Sequence, residues 1–155
     1  MRILWKMLSV SSAAALLVGA LAAQEVKIKR SELPPQVETT VAAQSAGSAI
    51  KGFSKETENG ETIYELQMVT AGHSKDVSMN AKGEVLEVEE EVSMDHLPAV
   101  VRTGLQSKAG TGKITKVESL TKKCRIVAYE AQVNTAGKRS EIQVGPDGAA
   151  LDHEE

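Results

Sequence analysis

The sequence predicts an α+β protein made of two tandem units, each with one helix packed on a four-stranded antiparallel sheet. Three observations lead to this fold class. Short motifs recur in the same order in the two halves, an apolar stripe at helical spacing opens each half, and runs of alternating apolar and polar residues follow, separated by turn signals. The two sheets can also join edge to edge into one continuous sheet.

The N-terminus has the composition of a secretory signal peptide. Arg2 and Lys6 precede an uncharged apolar stretch over residues 7–21, which is too short and too rich in Ser and Ala to favour spanning a bilayer. Small residues at 20 and 22 fit a cleavage site, so residues 1–22 are predicted to be removed. We therefore expect a periplasmic or secreted protein with no membrane association after cleavage.

The charge of the mature chain limits its partners. The sequence has 18 Lys and Arg against 21 Asp and Glu, and cleavage would remove two of the basic residues, which leaves 16 against 21 and a net charge of −5. Nucleic-acid binding needs clustered basic residues, so we expect no nucleic-acid partner. A basic partner is electrostatically easier.

The internal repeat divides the mature chain. Residues 23–31 form an N-terminal segment, and the two repeats span residues 32–91 and 92–155. The matching motifs are Leu33-Pro34 with Leu97-Pro98, Tyr64-Glu65 with Tyr129-Glu130, and Gly83 with Gly148. Such self-similarity predicts two copies of one supersecondary unit.

Each repeat is expected to begin with a helix. Its apolar residues are spaced by four, which places them on one face of the helix. They are Leu33, Val37 and Val41 in the first repeat, and Leu97, Val101 and Leu105 in the second. Prolines occupy the first turn, and Gly47 and Gly110 provide the stops.

The strands are expected to form a sheet with one apolar and one largely polar face. Turn signals divide the chain into predicted strands at about 50–56, 62–69, 74–79, 84–88, 114–120, 126–134, 139–144 and 149–152. Tyr64 and Tyr129 belong to the apolar face. The opposite face, open to solvent or a partner, is predicted to carry Ile63, Glu65, Gln67, Ala128, Glu130 and Gln132.

The whole pattern resembles the PepSY-like domains, including those described as beta-lactamase-inhibitor-like. The resemblance rests on Leu-Pro at a helix start, a Gly stop, a Lys-rich strand, Tyr-Glu in the middle strand and an Asp-x-Gly turn, and it covers almost all of residues 32–155. It implies a small exported α+β domain, often in tandem. In some relatives such domains are associated with peptidase inhibition, with propeptides of thermolysin-type peptidases, or with binding a beta-lactamase through an exposed sheet face.

Side chains suited to catalysis or to a resident metal are not grouped in the sequence. His73, His96 and His153 are scattered, and no nucleophile, base and orienting group can be named together. We therefore expect no enzyme, no catalytic residue, no metal site and no cofactor. Cys124 is either a passive strand or turn residue, or a thiol that forms an intermolecular disulfide or reacts in another way.

Two functions remain open. The first is a non-catalytic binding module whose open sheet face contacts an exported protein, with a peptidase as one candidate and inhibition as one outcome. The second is a sensor of a small ligand or divalent cation in the periplasm, suggested by the acidic run from Glu87 to Asp95 and by histidines beside acids. That run is otherwise a strand end or a linker.

Overall fold

In the computed structural model, residues 25–153 and 155 are described, and the predicted signal peptide lies outside them. Their strands form a single antiparallel sheet in sequence order. The strands are β1 (Val26–Ile28), β2 (Ala49–Glu58), β3 (Glu61–Thr70), β4 (His73–Asn80), β5 (Val85–Glu91), β6 (Lys113–Lys122), β7 (Arg125–Thr135) and β8 (Lys138–Val144). The helices are α1 (Pro35–Gln44), between β1 and β2, and α2 (Ala99–Ala109), between β5 and β6.

The prediction of two units, each with its own four-stranded sheet, is wrong. Strand β5 pairs with β6 through five residues, from Glu87 opposite Lys122 to Glu91 opposite Glu118, so all eight strands belong to one sheet. Without this pairing, each strand would leave a row of backbone N–H and C=O groups unpaired at an edge. The acidic run that we interpreted as a strand end or linker is therefore mostly a central strand.

Two strand predictions at the ends of the sheet also need correction. The predicted strand over residues 149–152 is reduced to one isolated bridge between Ala150 and Val144, because a turn after β8 folds the chain back. The short strand β1 lies inside the N-terminal segment of residues 23–31, for which no strand is predicted, and it pairs with β2. The three residues of β1 are too few to show an alternation.

Both helices pack on the same face of the sheet. In an antiparallel ladder, residues directly opposite each other point to the same side. Val77 lies opposite Val88, and Val88 lies opposite Thr121, which shares its side of β6 with Val117. Because Val77 packs with α1 and Val117 packs with α2, the helices form one layer and the sheet forms the other.

The core consists of two apolar clusters between these layers. Val37 and Val41 of α1 pack with Phe53, Leu66, Met68, Val77 and Met79. Leu97, Val101 and Leu105, in and just before α2, pack with Val117, Tyr129, Ala131 and Val144. Full burial of such a Leu or Val side chain contributes about 1.5–3 kcal/mol. The predicted helix faces and the apolar sheet face are thus the ones that form the core.

A glycine turn contacts each helix. A Cβ atom at Gly83, after β4, would lie 2.5 Å from the carbonyl oxygen of Gln36 in α1. A Cβ atom at Gly148, after β8, would lie 2.1 Å from the carbonyl oxygen of Val100 in α2. Both glycines also have φ near +77°, which other residues adopt at a cost. These close approaches fix the helices against the sheet.

Candidate binding face

The side of the sheet opposite the helices is the candidate functional surface, and we call it the open face. Neither α1 nor α2 packs against it, since both contribute to the apolar clusters on the other side. Its central side chains follow from the strand register: Ile63, Glu65 and Gln67 on β3, Asp76 and Ser78 on β4, Glu87, Glu89 and Glu91 on β5, Lys116, Glu118 and Leu120 on β6, and Ala128, Glu130 and Gln132 on β7.

A carboxylate cluster lies near the middle of the open face. Asp76 of β4 is directly opposite Glu89 of β5, and Glu118 of β6 lies beside them. One oxygen from each of the three carboxylates lies within 4.8 Å of the other two. Glu118 is only 5% exposed, and the other two side chains are half-buried. The strand pairing therefore concentrates negative charge where little water reaches it.

The protonation of this cluster is strongly perturbed. Burial raises the pKa of Glu89 from an ordinary 4.5 to about 8, and repulsion by the carboxylates of Glu87 and Glu118 contributes. Burial also raises the pKa of Asp76, again with a contribution from Glu118. Both effects disfavour the charged form of an acid. Near neutral pH, Glu89 therefore keeps its proton in most molecules.

Other carboxylates on the open face have partners. Lys116 Nζ lies 2.6 Å from Glu118 Oε1, and Lys122 Nζ lies 3.2 Å from Glu87 Oε2. Glu91 Oε2 accepts hydrogen bonds from the backbone N–H and the hydroxyl of Ser74, at 3.0 and 3.1 Å. By contrast, no Lys, Arg or His of the described residues forms an ion pair with Asp76 or Glu89.

The structure places all six residues predicted for the binding face on the side away from the helices, three on β3 and three on β7. They form two groups, because β4, β5 and β6 lie between these strands. Gln67 Nε2 donates to Glu65 Oε1 at 2.7 Å, and Gln143 Nε2 donates to Glu130 Oε2 at 2.8 Å. Ile63 and Ala128 are 8% and 0% exposed, so they offer a partner almost no contact area. Whether the six bind a partner stays a prediction.

Sequence analysis did not identify Asp76, Glu89 and Glu118 as a group. In the sequence, Glu89 stands in the acidic run, and Asp76 and Glu118 belong to two other strands. The signal that joins them is the β5–β6 register, which sets Glu91 opposite Glu118. The three histidines are not part of this cluster, and His153 is largely exposed beside Glu155.

The C-terminal residue lies at one border of the open face. The backbone N–H of Glu155 donates to Gln143 Oε1 at 2.9 Å, and its carboxylate lies 3.5 Å from Lys122 Nζ. Gln143 and Lys122 belong to β8 and β6, so Glu155 spans β7 between them. Glu155 has no hydrogen bond or ion pair to Asp76, Glu89 or Glu118 among the described residues.

Cys124 lies outside the open face cluster, in the hairpin turn between β6 and β7. The turn residues Lys123 and Cys124 have φ values of 50° and 60°. In the turns at Asn59-Gly60, Ala71-Gly72 and Ala136-Gly137, the second residue with positive φ is glycine. The thiol is exposed and forms no disulfide.

Neither helix in the described part of the chain has the length and hydropathy that crossing a membrane requires. No protein-family profile matches the sequence. No curated protein matches it either.

Several solved structures share the fold. A DUF2874 family protein from Bacteroides ovatus aligns with a TM-score of 0.61 at 18% identity, over 77% of this chain and 85% of the other. A proposed periplasmic protein from Bacteroides eggerthii aligns with a TM-score of 0.63 at 17% identity, over 77% and 86% of the two chains. A BLIP-like protein from Bacteroides fragilis aligns with a TM-score of 0.57 at 23% identity, over 79% and 85%.

At these levels of identity, the three structures show that the fold is shared. They do not show PepSY-like membership or two tandem copies. The chain thus has the fold of DUF2874 and BLIP-like proteins.

Proposed function

We propose that this chain is an exported, non-catalytic binding module that contacts another exported protein through its open face. The observation that carries the proposal is a broad sheet surface, not covered by either helix, whose central side chains are mostly carboxylates and amides. Half-buried carboxylates such as Asp76 and Glu89 are costly to leave charged without a partner. The residues suited to partner contact are Glu65, Gln67, Glu130 and Gln132, at its two sides.

The family, compartment and partner class belong to the same proposal. The signal-peptide composition supports export, and the fold shared with a proposed periplasmic protein supports a periplasmic location. The sequence motifs support PepSY-like membership, with residues 32–91 and 92–155 as two copies. Inhibition as the outcome of binding follows only from the family resemblance of the sequence, and we keep a peptidase as the first candidate class.

The test compares two variants with the same change in net charge. The double variant Glu65→Lys and Glu130→Lys reverses charges on the open face, whereas Glu38→Lys and Asp95→Lys reverses charges beside the helices. Each variant is expressed with the whole sequence, secreted by the host cell and purified. It is then used to capture exported proteins of its own organism. The affinity of each captured protein is measured by surface plasmon resonance.

We expect one saturable partner whose affinity falls at least tenfold for the open-face variant and less than threefold for the helix-side variant. Equal effects of the two variants would place the contact elsewhere, and the open face would lose its assignment.

The second candidate, a divalent-cation sensor, draws on the cluster of Asp76, Glu89 and Glu118. It has less support, because Lys116 already neutralises Glu118 at 2.6 Å and a metal ion held by all three carboxylates would have to displace that lysine. Calorimetric titration with calcium chloride at pH 7 tests it, and a saturable heat at submillimolar calcium would make this candidate the better one.

A further inference from the structure

We propose that the partner inserts a positively charged side chain, an arginine or a lysine on a protruding loop, between Asp76 and Glu89 at the centre of the open face. This inference rests on the proposed function, because it names the chemistry of the partner that the same face would bind. The position lies on β4 and β5, between the residues of β3 and β7 that the sequence predicts for the binding face.

The first argument is the charge balance of the open face. From β3 to β7 this face presents Glu65, Asp76, Glu87, Glu89, Glu91, Glu118 and Glu130. The basic residues on the same face of these strands are fewer: Lys116 and Lys122 lie beside Glu118 and Glu87, and Lys113 and Arg125 lie toward the strand ends. A surface with this excess of one charge attracts and orients a partner of the opposite charge.

The second argument is the pairing of each acid. Glu91 and Glu118 have partners within the chain, as described above, while Asp76 and Glu89 have no ion-pair partner among the described residues. These two side chains are directly opposite each other on neighbouring strands. Such a pair can receive the fork of one guanidinium group, or a single ammonium group, without disturbing the existing ion pairs.

The third argument is the environment of the pair. In the row of side chains that crosses the sheet, Asp76 and Glu89 are followed by Leu120 and Ala128, which are 2% and 0% exposed. Apolar, buried neighbours lower the local dielectric constant, so an ion pair formed there is stronger than one formed in water. The same environment makes the pair costly to leave charged and alone.

The position favours a side chain over a metal ion. A metal held by the three carboxylates would need Glu118, and would therefore have to break the 2.6 Å contact with Lys116. A guanidinium or ammonium group needs only Asp76 and Glu89. Its parent loop can then lie across the open face and contact Gln67 on the neighbouring strand.

The experiment uses a matched pair of probe peptides. One is a cyclic hairpin peptide with a single arginine at its tip, and the other carries citrulline, which is neutral and nearly the same shape, at that position. Each is titrated at pH 7 into the protein produced from its full-length chain and labelled with carbon-13, while the carboxyl resonances of Asp76 and Glu89 are followed by NMR.

We expect saturable shifts with the arginine peptide and at least tenfold weaker binding of the citrulline peptide. The Glu89 resonance should move toward its ionised position, because an adjacent cation lowers the pKa of an acid that is mostly protonated at pH 7. The variant Asp76→Asn with Glu89→Gln should lose the saturable shift of neighbouring resonances. The control variant Glu58→Gln with Glu61→Gln, which also replaces two acids by amides but at the β2–β3 turn, should keep it.

Equal shifts from both peptides would overturn the inference. So would saturation of the Asp76, Glu89 and Glu118 resonances by calcium chloride at concentrations where the arginine peptide has no effect, since the cluster would then be a metal site. The proposed function can survive either result: a partner that still binds the Asp76→Asn, Glu89→Gln variant but not the Glu65→Lys, Glu130→Lys variant would refute only the arginine or lysine contact.

Discussion

Gly104 lies inside α2, where replacing glycine by alanine ordinarily stabilises a protein. Alanine is favoured over glycine by about 1 kcal/mol in a helix interior. In this structure, however, a Cβ atom at Gly104 would lie 2.1 Å from the carbonyl oxygen and 2.9 Å from the carbonyl carbon of Gly148. Non-bonded heavy atoms prefer a separation of about 3.5–4.0 Å. Gly104→Ala therefore requires the helix and the turn to separate by more than 1 Å.

The turn can give little. It is closed by hydrogen bonds from Gly148 N–H to the Gly145 carbonyl and from Gly145 N–H to the Ala149 carbonyl, each 2.8 Å. Insertion of extra atoms into a well-packed contact typically costs about 1–3 kcal/mol. Subtraction of the propensity gain of about 1 kcal/mol leaves a net cost of about 0–2 kcal/mol, and because the approach is as close as 2.1 Å we expect Gly104→Ala to lower the free energy of unfolding by an amount near the upper end of that range.

The assay is urea unfolding followed by circular dichroism, with Ser107→Ala as the control. Ser107 is exposed on the same helix, so its replacement should raise stability by a few tenths of a kcal/mol through propensity alone. If Gly104→Ala proved as stable as the unmodified protein or more so, the close approach of helix and turn would not govern stability, and the reasoning would be wrong.

Three further predictions concern the turn, the cluster and the core. Cys124→Gly should raise the free energy of unfolding by about 1 kcal/mol, because a side chain at φ 60° is strained. Gly60→Ala should lower the free energy of unfolding by a similar amount, for the same reason. The midpoints of urea unfolding under reducing conditions test both expectations. Between about pH 4.5 and pH 8 the folded chain retains the Glu89 proton that the unfolded chain has lost, so the free energy of unfolding should fall as pH rises. The fall should be less than about 1.4 kcal/mol per pH unit, because solvent screens a half-buried group. Glu89→Gln should flatten this slope in unfolding curves measured from pH 5 to 8.5, and an unchanged slope would contradict the prediction. Leu66→Ala should lower the free energy of unfolding by about 2–5 kcal/mol, and Leu86→Ala, at a site that is 40% exposed, should lower it by about 1 kcal/mol or less. If thermal unfolding gave similar losses for the two variants, Leu66 would not be part of the core.

Local patterns in the sequence predicted the helices and the sheet faces well. The spacing of four in Val37 and Val41 determines which side of α1 is buried, and the alternation through Tyr64 and Leu66 determines which side of β3 faces it. Both rules depend on neighbouring residues in the chain. The match between Gly83 and Gly148 also predicts a turn at Gly148, although the sequence does not predict its contact with α2.

The pairing between distant strands was not predictable in the same way. Nothing local in Glu87–Glu91 specifies that it lies beside Glu118–Lys122, because α2 separates the two segments in sequence and they meet only in the folded chain. The cluster of Asp76, Glu89 and Glu118 depends entirely on that register. The sequence does not predict a tight hairpin turn at Lys123-Cys124, because the glycine that usually takes the second position with positive φ is absent there.

The strand order has a consequence for folding. Every strand pairs only with its neighbours in sequence, and among the seven strand-to-strand connections only β1–β2 and β5–β6 contain a helix. The remaining ladders grow from tight hairpins, for which the entropy of chain closure is small. Assembly can therefore proceed as hairpins that form early on each side, with the β5–β6 ladder, which joins residues on either side of α2, completed last.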